Sequence, residues 1–212
     1  MKRIFLLVFL FAAISSSAFA ALIQVKLTVA TTNALGEIRV AKGGVNQNTQ
    51  LLICQGTTPC AVTFRSGDVV TLTAFSFNSA TAAFNGWGPV SGSATPCGGQ
   101  ATCSFTITQD SKATAKFLQV FNLRVQVGTG SGTIRVKDHG VTQFDCTNTA
   151  PLSCSRGFFI DSAVTIENIA GPNQQFGSYS SKTGSMTACT SNPCSFTLKA
   201  DSSLVSNFIQ IP

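Results

Sequence analysis

Eight cysteines are the residues of this sequence best suited to covalent or metal chemistry, and they form four close pairs. Zinc sites use tight Cys-x2–4-Cys pairs or histidine partners, but three of the four gaps here are longer and His139 is the single histidine. An even cysteine number in an exported chain is instead typical of a disulfide framework. We therefore predict no metal and four local disulfides: Cys54–Cys60, Cys97–Cys103, Cys146–Cys154 and Cys189–Cys194.

The acidic residues and His139 form no pattern typical of an enzyme. Acid–base catalysis needs paired carboxylates, or a histidine with a partner. Asp138-His139 is the one suggestive pair, but neighbouring strand residues point to opposite faces, so we expect poor geometry for a dyad. Asp110 and Asp201 lie in turns, where we expect them to bond their own turn backbone. No serine lies in a nucleophile-elbow motif. The sequence therefore predicts no catalytic site and no cofactor.

The first twenty residues, MKRIFLLVFLFAAISSSAFA, are typical of an export signal. Two positive residues precede an apolar run, and small residues end at Ala20, the expected cleavage site. The alternative is a membrane anchor, but the run from Ile4 to Ile14 is too short, because a spanning helix needs about 20 residues. We predict a signal peptide over 1–20, then a secreted chain, extracellular or periplasmic, without a membrane span.

The charge of the chain is sparse and mildly positive. The sequence has 14 basic and 8 acidic residues, and two of the basic ones, Lys2 and Arg3, belong to the predicted signal peptide. The basic residues are scattered along the chain. Nucleic-acid-binding proteins typically carry a basic stripe with interleaved aromatic residues. Because the basic residues here are scattered, we predict no nucleic-acid partner.

The chain is an internal duplication. CSFTITQDSKATAKFLQ (103–119) recurs as CSFTLKADSSLVSNFIQ (194–210), and GEIRV (36–40) recurs as GTIRV (132–136). Such self-similarity indicates tandem units of about 90 residues. We predict two domains, 21–120 and 121–212. Because only Val120-Phe121-Asn122 separates the copies, we expect them to sit end to end, with no deep cleft between them.

Period-two alternation of apolar and polar residues indicates that each unit is built of strands. In CSFTIT, Phe105 and Ile107 alternate with polar residues, and VVTLTAF (69–75) and AVTIENI (163–169) alternate similarly. No segment after residue 20 has a helical pattern. The fold class predicted is all-β, as two tandem small β domains.

The motif order resembles the divergent internalin B-repeat, a bacterial repeat-domain family. The first copy matches through Phe64, Gly67, the strand 69–74 and the segment FNGWG (84–88). The second copy departs from the family motif, since Tyr179 replaces the tryptophan. The resemblance covers roughly 25–119 and 122–210, and the cysteine loops resemble those of a subset of the family. It implies a β-grasp-like fold without a long helix, in a secreted or cell-surface bacterial spacer or interaction protein that is not an enzyme.

The aromatic residues of the first copy provide the candidate contact surface. Phe84 and Trp87 match repeated family positions, which favours a role in the core. Phe75 and Phe77 fall on the strand face opposite Val70 and Leu72, so we predict that they point outward. Two hypotheses follow for function: a non-catalytic structural or interaction protein of two disulfide-stabilised β repeats, or a small carbohydrate- or protein-binding module that uses Phe75 and Phe77. The partner, a protein or glycan at the envelope or outside the cell, is not specified by the sequence.

Overall fold

The computed structural model describes residues 23–43, 49–148 and 153–212, and the predicted signal peptide lies outside these ranges. Within them the chain is built of strands and two 3-10 turns, Gly92–Ala94 and Gly184–Ala188, which confirms the all-β prediction. The strands are β1 (Gln24–Thr31), β2 (Gly36–Lys42), β3 (Thr49–Gln55), β4 (Cys60–Arg65), β5 (Asp68–Ser76), β6 (Ala82–Ser91), β7 (Thr102–Ile107), β8 (Ser111–Val127), β9 (Gly132–Asp138), β10 (Val141–Thr147), β11 (Ser153–Phe159), β12 (Ala163–Ala170), β13 (Gln174–Thr183), β14 (Cys194–Thr197) and β15 (Ser202–Gln210).

The strands form one seven-stranded sheet and two four-stranded sheets. The four-stranded sheets have the equivalent orders β3-β2-β5-β7 in the first copy and β10-β9-β12-β14 in the second. The seven-stranded sheet follows β13-β15-β8-β1-β4, and β6 and β11 also pair with β8. The same order of strands around two sheets in both copies is what the duplicated sequence implies.

Each copy has its own hydrophobic core between a four-stranded sheet and part of the seven-stranded sheet. The first core runs from Val25 to Phe117, and the second from Leu123 to Phe208. In both, alternate apolar residues of strands such as β1, β12 and β15 face inward, as in a two-layer sandwich. Phe84 and Trp87 pack against the first core with their ring centroids 5.4 Å apart, and Phe176 and Tyr179 form the equivalent ring pair of the second copy at 4.7 Å.

Strand β8 belongs to both copies. It is 17 residues long and contains the whole segment Val120-Phe121-Asn122, so the predicted boundary between 120 and 121 falls inside one strand. Its first part pairs with β1 and β6, and its second part with β11 and β15. The Val120 N–H donates to Thr81 O, and the Ile160 N–H donates to Gln119 O, both at 2.8 Å. Because adjacent strand residues direct these groups to opposite edges, the junction is hydrogen-bonded on both sides.

The four disulfides join the local cysteine pairs, Cys54–Cys60, Cys97–Cys103, Cys146–Cys154 and Cys189–Cys194. Cys54 lies on β3 and Cys60 on β4, and these strands belong to different sheets. The equivalent bond of the second copy joins β10 to β11 in the same way. One disulfide in each copy therefore cross-links the two layers of the sandwich, and the other secures the loop that follows the 3-10 turn.

Asp110 and Asp201 make equivalent bonds, although not the ones expected. The Lys26 N–H donates to Asp110 Oδ1 at 2.7 Å, and the Asn122 N–H donates to Asp201 Oδ1 at 2.8 Å. The expectation that these carboxylates bond their own turns was wrong, because each accepts from the first strand of its copy. The carboxylates thus connect the start and the end of each repeat.

The duplication predicts a stabilising substitution. Ser206 is fully buried and its hydroxyl has no hydrogen-bond partner among the described residues, whereas the equivalent residue of the first copy is the buried Ala115. A buried hydroxyl without a partner costs about 1–3 kcal/mol. We expect Ser206→Ala to raise the free energy of unfolding by about 1 kcal/mol in urea titrations. The matched control, Ala115→Ser, is expected to lower the free energy of unfolding. If Ser206→Ala is less stable than the parent chain, the Ser206 hydroxyl has a hydrogen-bond partner.

Candidate interaction surfaces

The outer face of the β3-β2-β5-β7 sheet carries the predicted contact residues. Phe75 and Phe77 are 41% and 54% exposed, so both point outward. In register, Arg39 lies beside Ile53 of β3 and Thr73 of β5. The Arg39 guanidinium lies 4.2 Å from the centroid of the Phe75 ring, within range of a cation–π interaction. Ile53 is also exposed, so aromatic, aliphatic and cationic groups share one solvent-facing surface.

A hydrogen-bonded carboxylate holds this surface in place. Arg39 Nε donates to Glu37 Oε1 at 2.7 Å, and Gln55 Nε2 donates to Glu37 Oε2 at 2.8 Å. The hydrogen bond from Gln55, together with the bond and charge of Arg39, lowers the pKa of Glu37 although burial opposes this shift. The arrangement keeps Glu37 ionised and fixes the guanidinium over Phe75.

The second copy does not reproduce the surface. By the alignment of the repeats, Ile169 stands at the position of Phe75 and Gly171 at that of Phe77. Asp145 stands at the position of Ile53, and it accepts two hydrogen bonds of 3.0 Å from Arg135. The exposed aromatic pair is therefore specific to the first copy.

The lowered carboxyl pKa values predict loss of stability in acid. The pKa of Glu37 is lowered mainly by Gln55, that of Asp68 by Lys42 and that of Asp145 by Arg135. A carboxyl with a lowered pKa in the folded state stabilises the fold above its unfolded pKa, and this contribution is lost as the pH falls through the folded pKa. We expect the urea midpoint to be constant from pH 7 to pH 5 and to fall below about pH 4.

The Glu37→Gln variant isolates one of these carboxyls. We expect it to be less stable than the parent chain at pH 7 and to lose less stability between pH 5 and pH 2. An equal acid loss in parent and variant would show that Glu37 does not contribute.

The side chains of Asp138 and His139 lie close together, although adjacent strand residues would point to opposite faces. His139 has a positive φ of 48° and lies in the turn between β9 and β10, not in a strand. Its Nδ1 lies 2.8 Å from Asp138 Oδ1, although the contact does not have hydrogen-bond geometry. The two side chains therefore approach each other through a turn and not across a strand, and the contact has the poor geometry expected for a dyad. His139 is mostly exposed and makes no hydrogen bond to a serine in the described ranges, so the pair lacks a nucleophile.

A half-open pocket lies where the copies meet, although we expected no deep cleft there. Its volume is about 340 Å³, and Ser79 and Ala83 of the first copy line it on one side. Gly157 allows β11 to lie against β8, because a Cβ there would be 2.7 Å from Val120 Cγ1. The remaining lining residues come from β8 and the second copy: Val120, Asp138, Gln143, Arg156, Gly157, Phe158 and Phe159.

Tyr179, which replaces the tryptophan, has a polar environment of its own. Asn168 Nδ2 donates to the Tyr179 hydroxyl at 2.7 Å, and Asn192 Oδ1 accepts from the Asn168 N–H at 2.7 Å. Burial raises the pKa of Tyr179 to about 12, although the Asn168 hydrogen bond opposes the shift. Tyr179 therefore stays neutral at physiological pH and acts as a packed core residue.

The described residues show neither a metal-binding cluster nor a membrane-spanning helix. No group of three or more His, Cys, Asp or Glu side chains in the described ranges is placed to hold a metal ion. Among the same residues, no helix has the length and apolar character needed to span a bilayer.

Comparison with known proteins gives only distant likenesses. No protein-family model and no curated protein matches the sequence. Among solved structures, the minor pilin of Streptococcus agalactiae is similar at a TM-score of 0.31 and 8% identity, over 89% of this chain and 98% of that one. A C-terminal fragment of a pilus adhesin of Lactobacillus rhamnosus GG gives 0.33 and 10%, over 89% and 98%. The major pilin T-13 of Streptococcus pyogenes gives 0.30 and 7%, over 88% and 97%. Values this low do not establish a common fold.

Proposed function

We propose that the chain is an exported, non-catalytic bacterial protein whose two repeats act as one stiff structural or interaction module, in the periplasm, on the cell surface or outside the cell. The observation that carries the proposal is β8, one strand of 17 residues that serves both cores. A strand hydrogen-bonded on both edges resists bending far more than a loop of three residues, so the repeats hold a fixed spacing.

Two further features support export and a structural role. The signal-like segment 1–20 and four disulfides are typical of an oxidising compartment outside the cytosol. The resemblance to the internalin B-repeat agrees with a spacer or contact role in a bacterial envelope protein. Glu37 forms an ion pair with Arg39, and Asp110 accepts a hydrogen bond from the Lys26 N–H. Such contacts fit a structural role for these carboxylates better than a catalytic one.

Small-angle scattering of residues 21–212 tests the proposal. Two spheres of about 95 residues with centres about 30 Å apart along β8 have a radius of gyration of about 19 Å. A single compact sphere of the same total size would give about 16 Å. We expect the larger value, and the smaller value would contradict the extended module.

The alternative is a carbohydrate- or protein-binding module that uses the first copy. The observation in its favour is the exposed Phe75, held by Arg39 and flanked by Ile53 and Phe77. Aromatic faces stack on sugar rings and anchor protein contacts.

A glycan array and a pull-down from envelope extract test this alternative. Saturable binding that is lost in Phe75→Ala/Phe77→Ala, and kept in the control Ile169→Ala of the second copy, would favour the module. Binding that is unchanged in the double variant would exclude this surface.

A further inference from the structure

Charge is sorted between the sheets. The strands of the seven-stranded sheet contain no Asp or Glu, and all eight acidic residues of the chain lie in the described ranges. Five acids lie on strands of the four-stranded sheets, and Asp110, Asp161 and Asp201 lie in turns. The cations on strands of the seven-stranded sheet are Lys26, Arg65, Lys112, Lys116, Arg124, Arg156 and Lys182.

The cations of the two kinds of sheet differ in their partners. On the four-stranded sheets every Lys or Arg of a strand forms an ion pair: Lys42–Asp68, Lys137–Glu167, Arg39–Glu37 and Arg135–Asp145. Within the described ranges, no Lys or Arg of the seven-stranded sheet forms one. Two of them bond to carbonyl groups, Arg156 to Gln143 and Lys182 to Cys189. The other five are exposed, at positions that alternate with buried core residues: Lys26, Arg65, Lys112, Lys116 and Arg124.

A groove on the outer face of the seven-stranded sheet brings two of these cations together in the first copy. Thr28 is in register with Lys112 on β8, and Lys112 with Ser91 on β6, while Lys26 lies two residues before Thr28 on the same face. The groove has a volume of about 190 Å³. One carboxylate, Asp110, lies at its end, with Oδ1 taken by the Lys26 N–H.

The second copy has an equivalent groove. It is formed where β8 and β15 run beside the end of β13, and its volume is about 240 Å³. Arg124 is its cation, at the position that aligns with Thr28, and Gln126, Ser181 and Ser203 supply polar groups. Along β8, Arg124 follows Lys112 by 12 residues, or about 40 Å of strand. The chain therefore carries two grooves that each combine at least one cation with hydroxyl groups.

We infer that the outer face of the seven-stranded sheet binds a linear acidic polysaccharide, with sulfate or carboxylate groups seated in the two grooves. Ammonium and guanidinium groups without acidic partners provide the charge complementarity. Hydroxyl groups such as those of Thr28 and Ser91 supply hydrogen bonds to sugars. Among the residues that the structure describes, no aromatic side chain lines either groove, so these residues provide no stacking platform of the kind that single-stranded nucleic acids use. This inference goes beyond the proposed function and does not depend on it.

The test measures binding of residues 21–212 to four labelled polymers: heparin, polygalacturonate, neutral dextran and single-stranded oligothymidylate. We expect binding to heparin, polygalacturonate or both, with the preferred polymer distinguishing sulfate from carboxylate recognition. About three ionic contacts predict a loss of affinity of roughly 20- to 40-fold between 50 and 200 mM salt.

Two variants of equal net charge decide whether the location matters. Lys26→Gln/Lys112→Gln/Lys116→Gln removes cations of the proposed surface, and Arg135→Gln/Lys137→Gln/Lys199→Gln removes three elsewhere. We expect at least a tenfold loss of affinity in the first variant and less than a threefold loss in the second, with both folded by circular dichroism. Equal losses, equal binding to dextran or to oligothymidylate, or no binding to either acidic polysaccharide would overturn the inference.

Discussion

Removal of both disulfides of the first repeat is expected to lower its free energy of unfolding by about 5 kcal/mol. Each bond closes a loop of about seven residues, which contributes roughly 2.4 kcal/mol in the chain-entropy model. Because domains of this size are stable by only about 5–15 kcal/mol, the variant Cys54→Ala/Cys60→Ala/Cys97→Ala/Cys103→Ala should be close to unfolding. Guanidinium titration followed by circular dichroism measures the loss.

The second repeat supplies the matched control for this variant. The corresponding four substitutions at Cys146, Cys154, Cys189 and Cys194 should cost a similar amount but unfold the other core. Non-reducing peptide mapping of the parent chain checks the pairing itself. A loss below about 1 kcal/mol, or a bridge between the copies, would contradict the local framework.

Phe117→Ala is expected to destabilise the first repeat by about 3–5 kcal/mol, the usual range for a fully buried phenylalanine. The ring is completely buried and packs edge-on against Phe84 at 5.9 Å. It also fills the space over Gly36, where a Cβ would lie 2.5 Å from the ring. Phe208 lies over Gly132 in the same way, so Phe208→Ala should have the same effect on the second repeat.

Amide hydrogen exchange distinguishes the two variants. We expect Phe117→Ala to accelerate exchange mainly in β1 to β7, and Phe208→Ala mainly in β9 to β15. Uniform acceleration across both repeats in either variant would show one shared core instead of two.

Much of the architecture was predictable because the repeats constrain each other. Alternation such as that of Phe105 and Ile107 recurs in both copies. A pattern that occurs twice is stronger evidence for a strand than one that occurs once. The continuous strand had a partial signal: residues 111–127 contain no glycine or proline, and they alternate on both sides of the junction, although not across 118–121. The motif GSAT (92–95), repeated as GSMT (184–187), marked the 3-10 turns equally well.

Other features depend on pairing between distant segments. The tie between Asp110 and Lys26 joins residues 84 positions apart, and local turn chemistry cannot reveal it. The basic residues are scattered in the sequence, and only the sheet order brings Lys26 and Lys112 into one groove, where neither forms an ion pair in the described ranges.

The central claim is that the junction is a paired strand and not a hinge. Amide hydrogen exchange at Val120 and Ile160 tests it most directly, since the donors of the junction hydrogen bonds are these two groups. We predict that both amides exchange at least about a thousandfold more slowly than an unstructured peptide, as expected for opening energies near 4 kcal/mol. Exchange at the unstructured rate at Val120 and Ile160, with protection retained at Val125 of the same strand, would contradict the claim.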